Sequence, residues 1–207
     1  MSSLIYYLNR VGLAPRRRRL AFYEREASVP DHSSATCTVE VLNAETLARL
    51  DYCGGWLSRD EASAKIAAPR CWMVGAHRGG RLIGYVWGEL EEADVAFFDL
   101  RVPLPARVAY LSHVFVAPEA RGSGLYLALC AGFMAEAVRR GASRVFLCVD
   151  PANTPMIRQQ PKLGFRHYLS ASYLRLGPWR RYRIETPAGA PVLITGSAEA
   201  AAKRLLP

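Results

Sequence analysis

The segment from residue 108 to residue 149 restricts the possible folds more than any other part of the chain. The run Val108–Val116 is mostly apolar, which predicts a strand that is buried on both faces. A glycine-containing turn follows, and from Leu125 to Arg140 apolar residues recur at the spacing of an amphipathic helix. Arg144–Val149 is a second apolar strand. A strand, a helix and a strand in this order form a right-handed parallel unit by default, so the fold class is α/β (α+β).

Shorter elements on both sides of this segment predict a central sheet that is mixed but mostly antiparallel, with flanking helices. Asn43 and the pattern Ser58-x-x-Glu61 indicate the N-terminal caps of two helices. Further strands are predicted over residues 36–41, 71–76 with 81–89, 165–176 with 179–185, and 192–195. Short helices are predicted over 154–163 and from Ser197. Residues 91–107 are acidic and contain two prolines, and are predicted to be a long loop.

The order of the predicted elements divides the chain into three segments. Residues 1–35 are a helical, basic extension, with an amphipathic helix over 4–13 and four consecutive arginines at 16–19. Residues 36–185 form the main domain, and residues 186–207 a C-terminal extension. Because a basic amphipathic helix can lie on a bilayer, the first segment is a candidate for peripheral membrane contact.

The net charge of +9 favours anionic partners, namely a phosphate-bearing coenzyme, a membrane surface or nucleic acid. The chain has no stretch of about 18 apolar residues, so no transmembrane helix is expected. At the N-terminus the apolar residues precede the basic run, which is the reverse of a secretory signal. The five cysteines include no Cys-x-x-Cys pair, which argues against a disulfide framework and a zinc site. These features predict a cytoplasmic protein without a metal.

The turn between the first buried strand and its helix, Arg121-Gly122-Ser123-Gly124, is the candidate ligand site. Glycine tolerates positive φ and lets a ligand approach the backbone closely. The helix that follows presents unpaired N–H groups at its positive end, where a pyrophosphate can bind, and Arg121 could add a charge-assisted contact. The turn lacks the Gly-Lys-Ser/Thr of a Walker loop and the third glycine of a dinucleotide fingerprint.

Together with its surroundings, the turn resembles the core of the GCN5-related N-acetyltransferases. That family has a strand ending in Val-x-Pro, then Gln/Arg-x-x-Gly-x-Gly/Ala, a helix, a strand followed by Asn, and a Leu-Gly-Phe ending. This chain has Val116-Ala117-Pro118, the turn, Asn153 and Leu163-Gly164-Phe165 in that order. The resemblance covers residues 36–185 in element order and is specific over 110–165. It implies the family fold, with a splayed parallel pair of strands, and acetyl transfer from acetyl-CoA to an amine.

The resemblance also implies which residues bind the coenzyme. Backbone groups of Val114, Phe115 and Val116 would pair with the pantetheine arm as an added strand. Asn153 would bind the cofactor or the substrate where the parallel strands diverge. The pyrophosphate would lie on the backbone N–H groups of six residues: Arg121, Gly122, Ser123, Gly124, Leu125 and Tyr126. Tyr126 departs from the family, which has Gly or Ala at that position.

The catalytic residues are less well defined by the sequence. The family often has a tyrosine acid five residues before the final Phe, but this chain has Gln160 there, so Tyr168 is an alternative proton donor. An ammonium nucleophile must also lose a proton before it attacks, which requires a base. Glu89, at the end of a predicted strand, is the candidate. His113 follows Ser112, a position where the family has bases, but strand alternation predicts that it faces away.

Three functions stay open on the sequence alone. The first is an acyl-CoA-dependent N-acyltransferase that uses no metal and acylates an amine of a small molecule or a protein. The second is a module of the same fold that binds the coenzyme without catalysis, which Gln160 and Tyr126 favour. The third is a basic protein that binds a membrane or nucleic acid through its charge, nucleic acid being the less expected. A homodimer is compatible with each.

Overall fold

The computed structural model describes residues 16–29, 37–52, 55, 57–187, 192–195 and 198–205. The strands are β1 (Arg16–Glu26), β2 (Thr38–Leu42), β3 (Cys71–Arg78), β4 (Arg81–Glu89), β5 (Glu92–Val95), β6 (Leu100–Pro103), β7 (Val108–Val116), β8 (Arg144–Val149), β9 (Arg166–Leu176), β10 (Trp179–Glu185) and β11 (Val192–Thr195). The α-helices are α1 (Ala44–Arg49), α2 (Arg59–Ile66), α3 (Leu125–Arg139), α4 (Thr154–Gln159) and α5 (Ala198–Leu205). None of these described helices is long and apolar enough to cross a bilayer.

The chain divides into two compact units. The central unit consists of the described residues within Arg25–Glu91 and Leu104–Leu147. The terminal unit consists of those within Met1–Glu24, Glu92–Pro103 and Cys148–Pro207. Each unit is therefore built from segments that are far apart in the sequence, whereas the three predicted segments are each continuous.

In the central unit the strand order is β2-β3-β4-β7-β8. The first four strands pair antiparallel, and β7 pairs parallel with the start of β8, from Val108 beside Arg144 to Leu111 beside Leu147. The predicted parallel unit is confirmed, and so is the hairpin of β3 and β4. Both glycines in the turn of that hairpin have positive φ, as a tight two-residue hairpin turn requires.

Helices cover both faces of this central sheet. α1 and α2 pack on the face that carries Tyr85 and Trp87, where they share a buried apolar cluster. α3 packs on the other face, where a Cβ on Gly84 would lie 3.2 Å from the side chains of Leu125 and Leu129. Glycine at this position therefore lets α3 approach the sheet closely.

The two helices α1 and α2 begin at the capping residues that the sequence predicted. The Asn43 side chain accepts from the backbone N–H of Thr46, and the Thr46 hydroxyl accepts from the backbone N–H of Asn43. Ser58 and Glu61 make the same reciprocal contacts at α2. These bonds satisfy N–H groups that would otherwise have no partner at the start of each helix.

In the terminal unit the strand order is β11-β10-β9-β1, and each pairing is antiparallel. The predicted hairpin of β9 and β10 is confirmed, as are the tail elements β11 and α5. One face of these strands packs against Phe98, which follows β5. Its ring lies 6.2 Å from Phe22, 5.8 Å from Tyr173 and 6.4 Å from Tyr182, between ring centroids.

Two predicted elements differ from the structure. The arginines at 16–19, expected in a helical extension, belong to β1, which pairs with β9. Residues 91–107, expected to be a loop, contain the hairpin of β5 and β6. In both segments charged residues or prolines lower the intrinsic strand propensity, and pairing with a partner strand overrides it. The helix predicted over 4–13 lies outside the described residues, and the division into three segments stays a prediction.

Candidate active site

The turn Arg121–Gly124 leads directly into α3. Gly122 and Gly124 have φ of 77° and 82°, and a Cβ on either would meet no atom within 4 Å. The Ser123 hydroxyl donates to the carbonyl of Ala120 at 2.7 Å, and Arg121 Nε donates to the carbonyl of Val116 at 3.2 Å. The backbone conformation therefore explains the glycines, and the space beside them is open.

The entry of α3 has backbone donors without acceptors. Within the part of the chain that the structure describes, the N–H groups of Gly122, Ser123, Gly124 and Leu125 have no hydrogen-bond partner. Gly124 is the N-cap residue and has no side chain that could cap the helix. The first turn of a helix of 15 residues also carries partial positive charge. This geometry fits an anionic group such as a pyrophosphate.

Tyr126, which departs from the family motif, makes its side-chain contact away from the turn. It hydrogen-bonds to the thiol of Cys130, one helical turn further along α3. Burial raises the pKa of the Cys130 thiol to about 12, and the contact with Tyr126 acts in the opposite direction. This contact ties the tyrosine to a buried residue of the helix.

A β-bulge interrupts β7 close to its end. The register between β4 and β7 shifts between Tyr85 and Trp87, so that His113 and Val114 lie opposite a single residue of β4. His113 has φ of 43°, and its Nδ1 lies 3.2 Å from the Ser112 hydroxyl. The expectation that His113 faces away from Ser112 is wrong, because a bulge breaks the alternation of side chains along a strand.

Burial along β7 changes at this bulge. Residues from Val108 to Ser112 are buried, whereas those from His113 to Val116 are half-buried. The residues predicted to pair with pantetheine, Val114, Phe115 and Val116, all lie in the half-buried part. A ligand can therefore reach this stretch of strand more easily than the preceding one.

A buried polar cluster lies beside the bulge. The Glu89 side chain is 3% exposed, and its Oε1 accepts from Lys65 Nζ at 2.5 Å and from the Ser112 hydroxyl at 2.9 Å. Lys65 Nζ also lies 5.2 Å from the centre of the Trp87 ring. A buried carboxylate needs such donors to offset its lost hydration. The cluster therefore connects α2, β4 and β7.

Ser112 links the carboxylate to the imidazole of His113. Its hydroxyl hydrogen is donated to Glu89, so its oxygen is the atom that accepts from Nδ1–H of His113. A neutral imidazole with its proton on Nδ1 has its lone pair on Nε2. Glu89 is buried and His113 is half-buried. Of these two residues, His113 is therefore the one whose side chain a ligand can reach.

Aromatic rings lie on the same face of the sheet as this cluster. Tyr85 stacks with Phe115 at 5.5 Å and with Tyr52 at 6.3 Å between ring centroids. A Cβ on Gly55, whose φ is 118°, would lie 2.2 Å from the Tyr85 hydroxyl. Only glycine therefore fits beside that hydroxyl, and the rings give this part of the site an apolar wall.

Three predicted site residues belong to the terminal unit, where their side chains hydrogen-bond to backbone groups. Asn153 Oδ1 accepts from the backbone N–H of Met156 at 3.3 Å, which caps α4. Gln160 is fully buried, and its Nε2 donates to the carbonyl of Met156 at 2.9 Å. The Tyr168 hydroxyl donates to the carbonyl of Leu205 at 2.7 Å. Their roles toward a ligand stay predictions.

The sequence analysis missed Lys65 and the contact between Ser112 and Glu89. Lys65 stands in the last turn of α2, where a basic residue is common and does not indicate burial. Ser112 carried a weak signal, because it is a hydroxyl within a strand that is otherwise mostly apolar.

Comparison with known proteins places the chain in a family. The sequence matches the Acetyltransferase (GNAT) family over residues 39–165, which is more than half of its length. The chain therefore belongs to the GNAT acetyltransferase family, and the predicted resemblance is confirmed.

Among curated proteins, the chain is similar to the mycothiol acetyltransferase of Thermobispora bispora. The two are 35% identical over 97 residues, which is 45% of this chain and 29% of that enzyme. The similarity thus spans less than a third of the relative.

Solved structures share the fold. A GNAT-family protein from Novosphingobium aromaticivorans is 22% identical, with a TM-score of 0.52, over 76% of this chain and 63% of its own. A Drosophila protein is 18% identical, with a TM-score of 0.55, over 83% and 58% of the two chains. The aminoglycoside N-acetyltransferase AAC(6')-Iy in complex with CoA is 20% identical, with a TM-score of 0.50, over 67% and 92%. At these identities the likeness concerns the fold, and the predicted fold class is confirmed.

Proposed function

We propose that this chain is an acyl-CoA-dependent N-acyltransferase that transfers an acetyl group from acetyl-CoA to an amine of a small molecule or a protein. The observation that supports it most is the entry of α3, where the N–H groups from Gly122 to Leu125 have no partner among the described residues. Membership of the GNAT family supports the same reaction.

The α3 entry fits the phosphate end of the coenzyme. Phosphate oxygens would accept hydrogen bonds from the unpaired N–H groups at the positive end of the helix. Arg121 would add positive charge, because its guanidinium donates to an uncharged acceptor, the Val116 carbonyl. The half-buried stretch from Val114 to Val116 would accept the pantetheine arm as an added strand. When bound, the coenzyme supplies an acetyl thioester that an amine can attack.

On the acceptor side, we assign the general base to His113. An amine is mostly ammonium at neutral pH, and it would give one proton to Nε2 of the imidazole. The imidazolium would be stabilised through Ser112 by the Glu89 carboxylate, which Lys65 holds in place. Glu89, the base predicted from the sequence, is thus a positioning residue that acts through Ser112.

The bonds and protons balance without a protein acid. The amine nitrogen forms a bond to the acetyl carbon, and the bond from that carbon to the coenzyme sulfur breaks. The nitrogen loses a second proton to solvent, and the sulfur leaves as a thiolate that takes up a proton from solvent. The imidazolium then returns its proton to solvent, so each acetyl transfer releases one proton in total. A free thiol has a pKa of about 8.5, so its thiolate is a competent leaving group. We assign no acid role to Tyr168 or Gln160, because each donates a hydrogen bond to a backbone carbonyl.

A pair of matched glycine variants tests the coenzyme site. Gly124 and Gly141 precede and follow α3, have φ of 82° and 84°, and face open space. Each substitution by glutamate therefore imposes similar backbone strain, but only Gly124→Glu places a carboxylate beside the unpaired N–H groups. We expect acetyl-CoA to raise the Tm of the wild type and of Gly141→Glu by mass action, and not that of Gly124→Glu. An undiminished shift in Gly124→Glu would overturn the site.

Turnover is a separate measurement. Release of free thiol from acetyl-CoA, followed over a panel of polyamines, amino sugars and peptides, should depend on the amine offered. A thermal shift without thiol release from any amine would instead identify a coenzyme-binding module that lacks catalysis.

A further inference from the structure

The outward face of the terminal unit's sheet carries four arginines in two rows. Directly opposed residues of antiparallel strands lie on the same face of a sheet, and residues two apart along a strand do so as well. The rows, which cross β1, β9 and β10, are Arg17, Leu174 and Arg181, and Arg19, Ser172 and Arg183. On this face, the arginines of β1 and β10 therefore lie on either side of Leu174 and Ser172 of β9.

The spacing of strands brings these arginines close together. Neighbouring strands are about 4.8 Å apart and alternate residues about 6.8 Å apart, so the four Cα atoms outline a rectangle of roughly 10 by 7 Å. All four side chains are exposed, those of Arg19 and Arg183 by 65% and 53%. The rectangle is a dense positive surface.

The other face of the same strands is buried, so the charged face points to solvent. Tyr173 on β9 and Tyr182 on β10 lie one residue along the strand from members of both rows, so their side chains are on the opposite face. Each is 1% exposed and packs on Phe98. Leu20 and Ile184 lie on that buried face too, at 1% and 4%. The orientation of the arginines is therefore set by the core of the unit.

Carboxylates compensate only part of this charge. Glu185 lies 2.6 Å from Arg183 and 4.0 Å from Arg19. Among the described residues, Arg17 and Arg181 have no carboxylate partner. Like charges at this spacing repel one another, and an external anionic surface would relieve that repulsion.

Exposed apolar side chains adjoin the arginines at the end of the β9–β10 hairpin. Leu176 pairs with Trp179 and lies two residues from Leu174, so this pair is on the same face. The two residues are 49% and 41% exposed. Tryptophan and leucine beside arginines are typical of surfaces that enter the interface of a bilayer.

We propose that this arginine–tryptophan face, made of Arg17, Arg19, Arg181, Arg183, Leu176 and Trp179, binds the surface of an anionic phospholipid bilayer. The arginines contact lipid phosphates, and the hairpin tip inserts its apolar pair at the level of the headgroups. Leu176 favours lipid over nucleic acid, because an aliphatic side chain cannot stack on a base as an aromatic ring does. The inference is independent of the acyl transfer proposed above, and it places membrane contact on strands rather than on the helix predicted over residues 4–13.

Vesicle flotation with the full chain tests the charged part. Binding to phosphatidylcholine vesicles with about 30 mol% phosphatidylserine should exceed binding to pure phosphatidylcholine and fall with salt. Each arginine removed should weaken binding about fivefold, so Arg17→Gln with Arg181→Gln should lower it roughly 25-fold. The control, Arg158→Gln with Arg204→Gln, removes the same charge from exposed helical positions of the same unit and should change binding much less.

The apolar tip is tested with Leu176→Ser combined with Trp179→Ser. We expect weaker vesicle binding at unchanged net charge, and in the wild type a blue-shifted tryptophan emission on binding that this variant lacks. Circular dichroism and the acetyl-CoA thermal shift report whether each variant is folded. Equal losses in the charge-matched control, equal binding to neutral vesicles, or tighter binding to single-stranded RNA than to the anionic vesicles would overturn the proposal. The proposal would also fail if the wild type self-associates and variants of the arginine–tryptophan face become monomeric without any change in vesicle binding.

Discussion

Glu89 on β4 and Glu136 on α3 are both buried in the central unit, yet their surroundings differ in kind. Their side chains are 3% and 5% exposed. Glu136 accepts from two guanidinium groups, those of Arg139 and Arg140, at 2.5 to 2.6 Å. Glu89 accepts from an ammonium group and from a hydroxyl that also contacts an imidazole.

The difference shows that burial and pairing do not by themselves tell which carboxylate is connected to a group that can exchange a proton. Guanidinium groups keep their protons at any ordinary pH, so the Glu136 cluster cannot pass a proton on. Arg140 also donates to the carbonyl of Pro69 at 2.8 Å and lies 4.9 Å from the Trp72 ring, which ties the end of α3 to the sheet. At Glu89 the hydrogen bonds lead to His113, which can take up and release a proton.

The largest expected effect is on catalysis at His113. Asparagine tolerates the left-handed backbone found there and can hydrogen-bond to Ser112, but it cannot accept a proton. His113→Asn should therefore lower kcat/KM for acetyl transfer about 100-fold, the lower end for loss of a general base. The acidic limb of the pH–rate profile should flatten, and the acetyl-CoA thermal shift should persist. A wild-type rate and profile would remove His113 from the mechanism.

Glu136→Gln should affect stability instead. Loss of charge-assisted hydrogen bonds to two arginines should lower the free energy of unfolding by about 2 kcal/mol, measured by urea denaturation, with kcat/KM unchanged in the folded enzyme. Glu199→Gln is the control, since its carboxylate is 80% exposed and paired with Lys203, and it should leave the free energy of unfolding nearly unchanged. A rate loss in Glu136→Gln that exceeds its loss of folded protein would contradict the contrast between the two glutamates.

A smaller effect is expected at Ser112, which joins Glu89 to His113. Ser112→Ala removes one hydrogen bond to a charged group, worth about 1.5 kcal/mol, and should lower kcat roughly tenfold. Ser112→Thr keeps the hydroxyl and should recover most of the rate. If alanine and threonine variants lose activity equally, packing rather than the hydroxyl matters at this position.

The smallest effect concerns the pH dependence of stability. The hydrogen bond from Arg139 is the main cause that holds the pKa of Glu136 below its ordinary value, burial opposes it, and Arg140 adds to the lowering. A carboxyl with a lowered folded-state pKa stabilises the protein above its unfolded-state pKa, near 4.3, and loses that contribution as the pH falls through the folded-state value. The stability gap between wild type and Glu136→Gln should thus narrow below about pH 4. If urea titrations show a constant difference in the free energy of unfolding down to pH 3, the charge of the Glu136 carboxylate does not stabilise the folded protein.

Elements with strong local patterns were predictable from the sequence. The apolar spacing of α3, the caps at Asn43 and Ser58, and the glycine turn before α3 all depend on residues close together in the chain, and the structure has each of them. β1 was not predicted as a strand, because four consecutive arginines give no alternation of apolar and polar residues. Its partner strand, β9, is about 150 residues away in the chain and cannot be recognised locally.

The sequence by itself determined the parallel unit, the family and the loop at Arg121–Gly124, because the strand, the glycine turn and the helix follow one another directly in the chain. Only the tertiary structure decided which side chains contact one another at the bulge of β7. The bulge at His113 depends on the register of β7 against β4, and Lys65 reaches Glu89 from a helix 24 residues earlier in the chain. Strand alternation predicted that His113 faces away from Ser112, and pairing between strands placed it against Ser112, since one extra residue in a strand changes which side chains share a face.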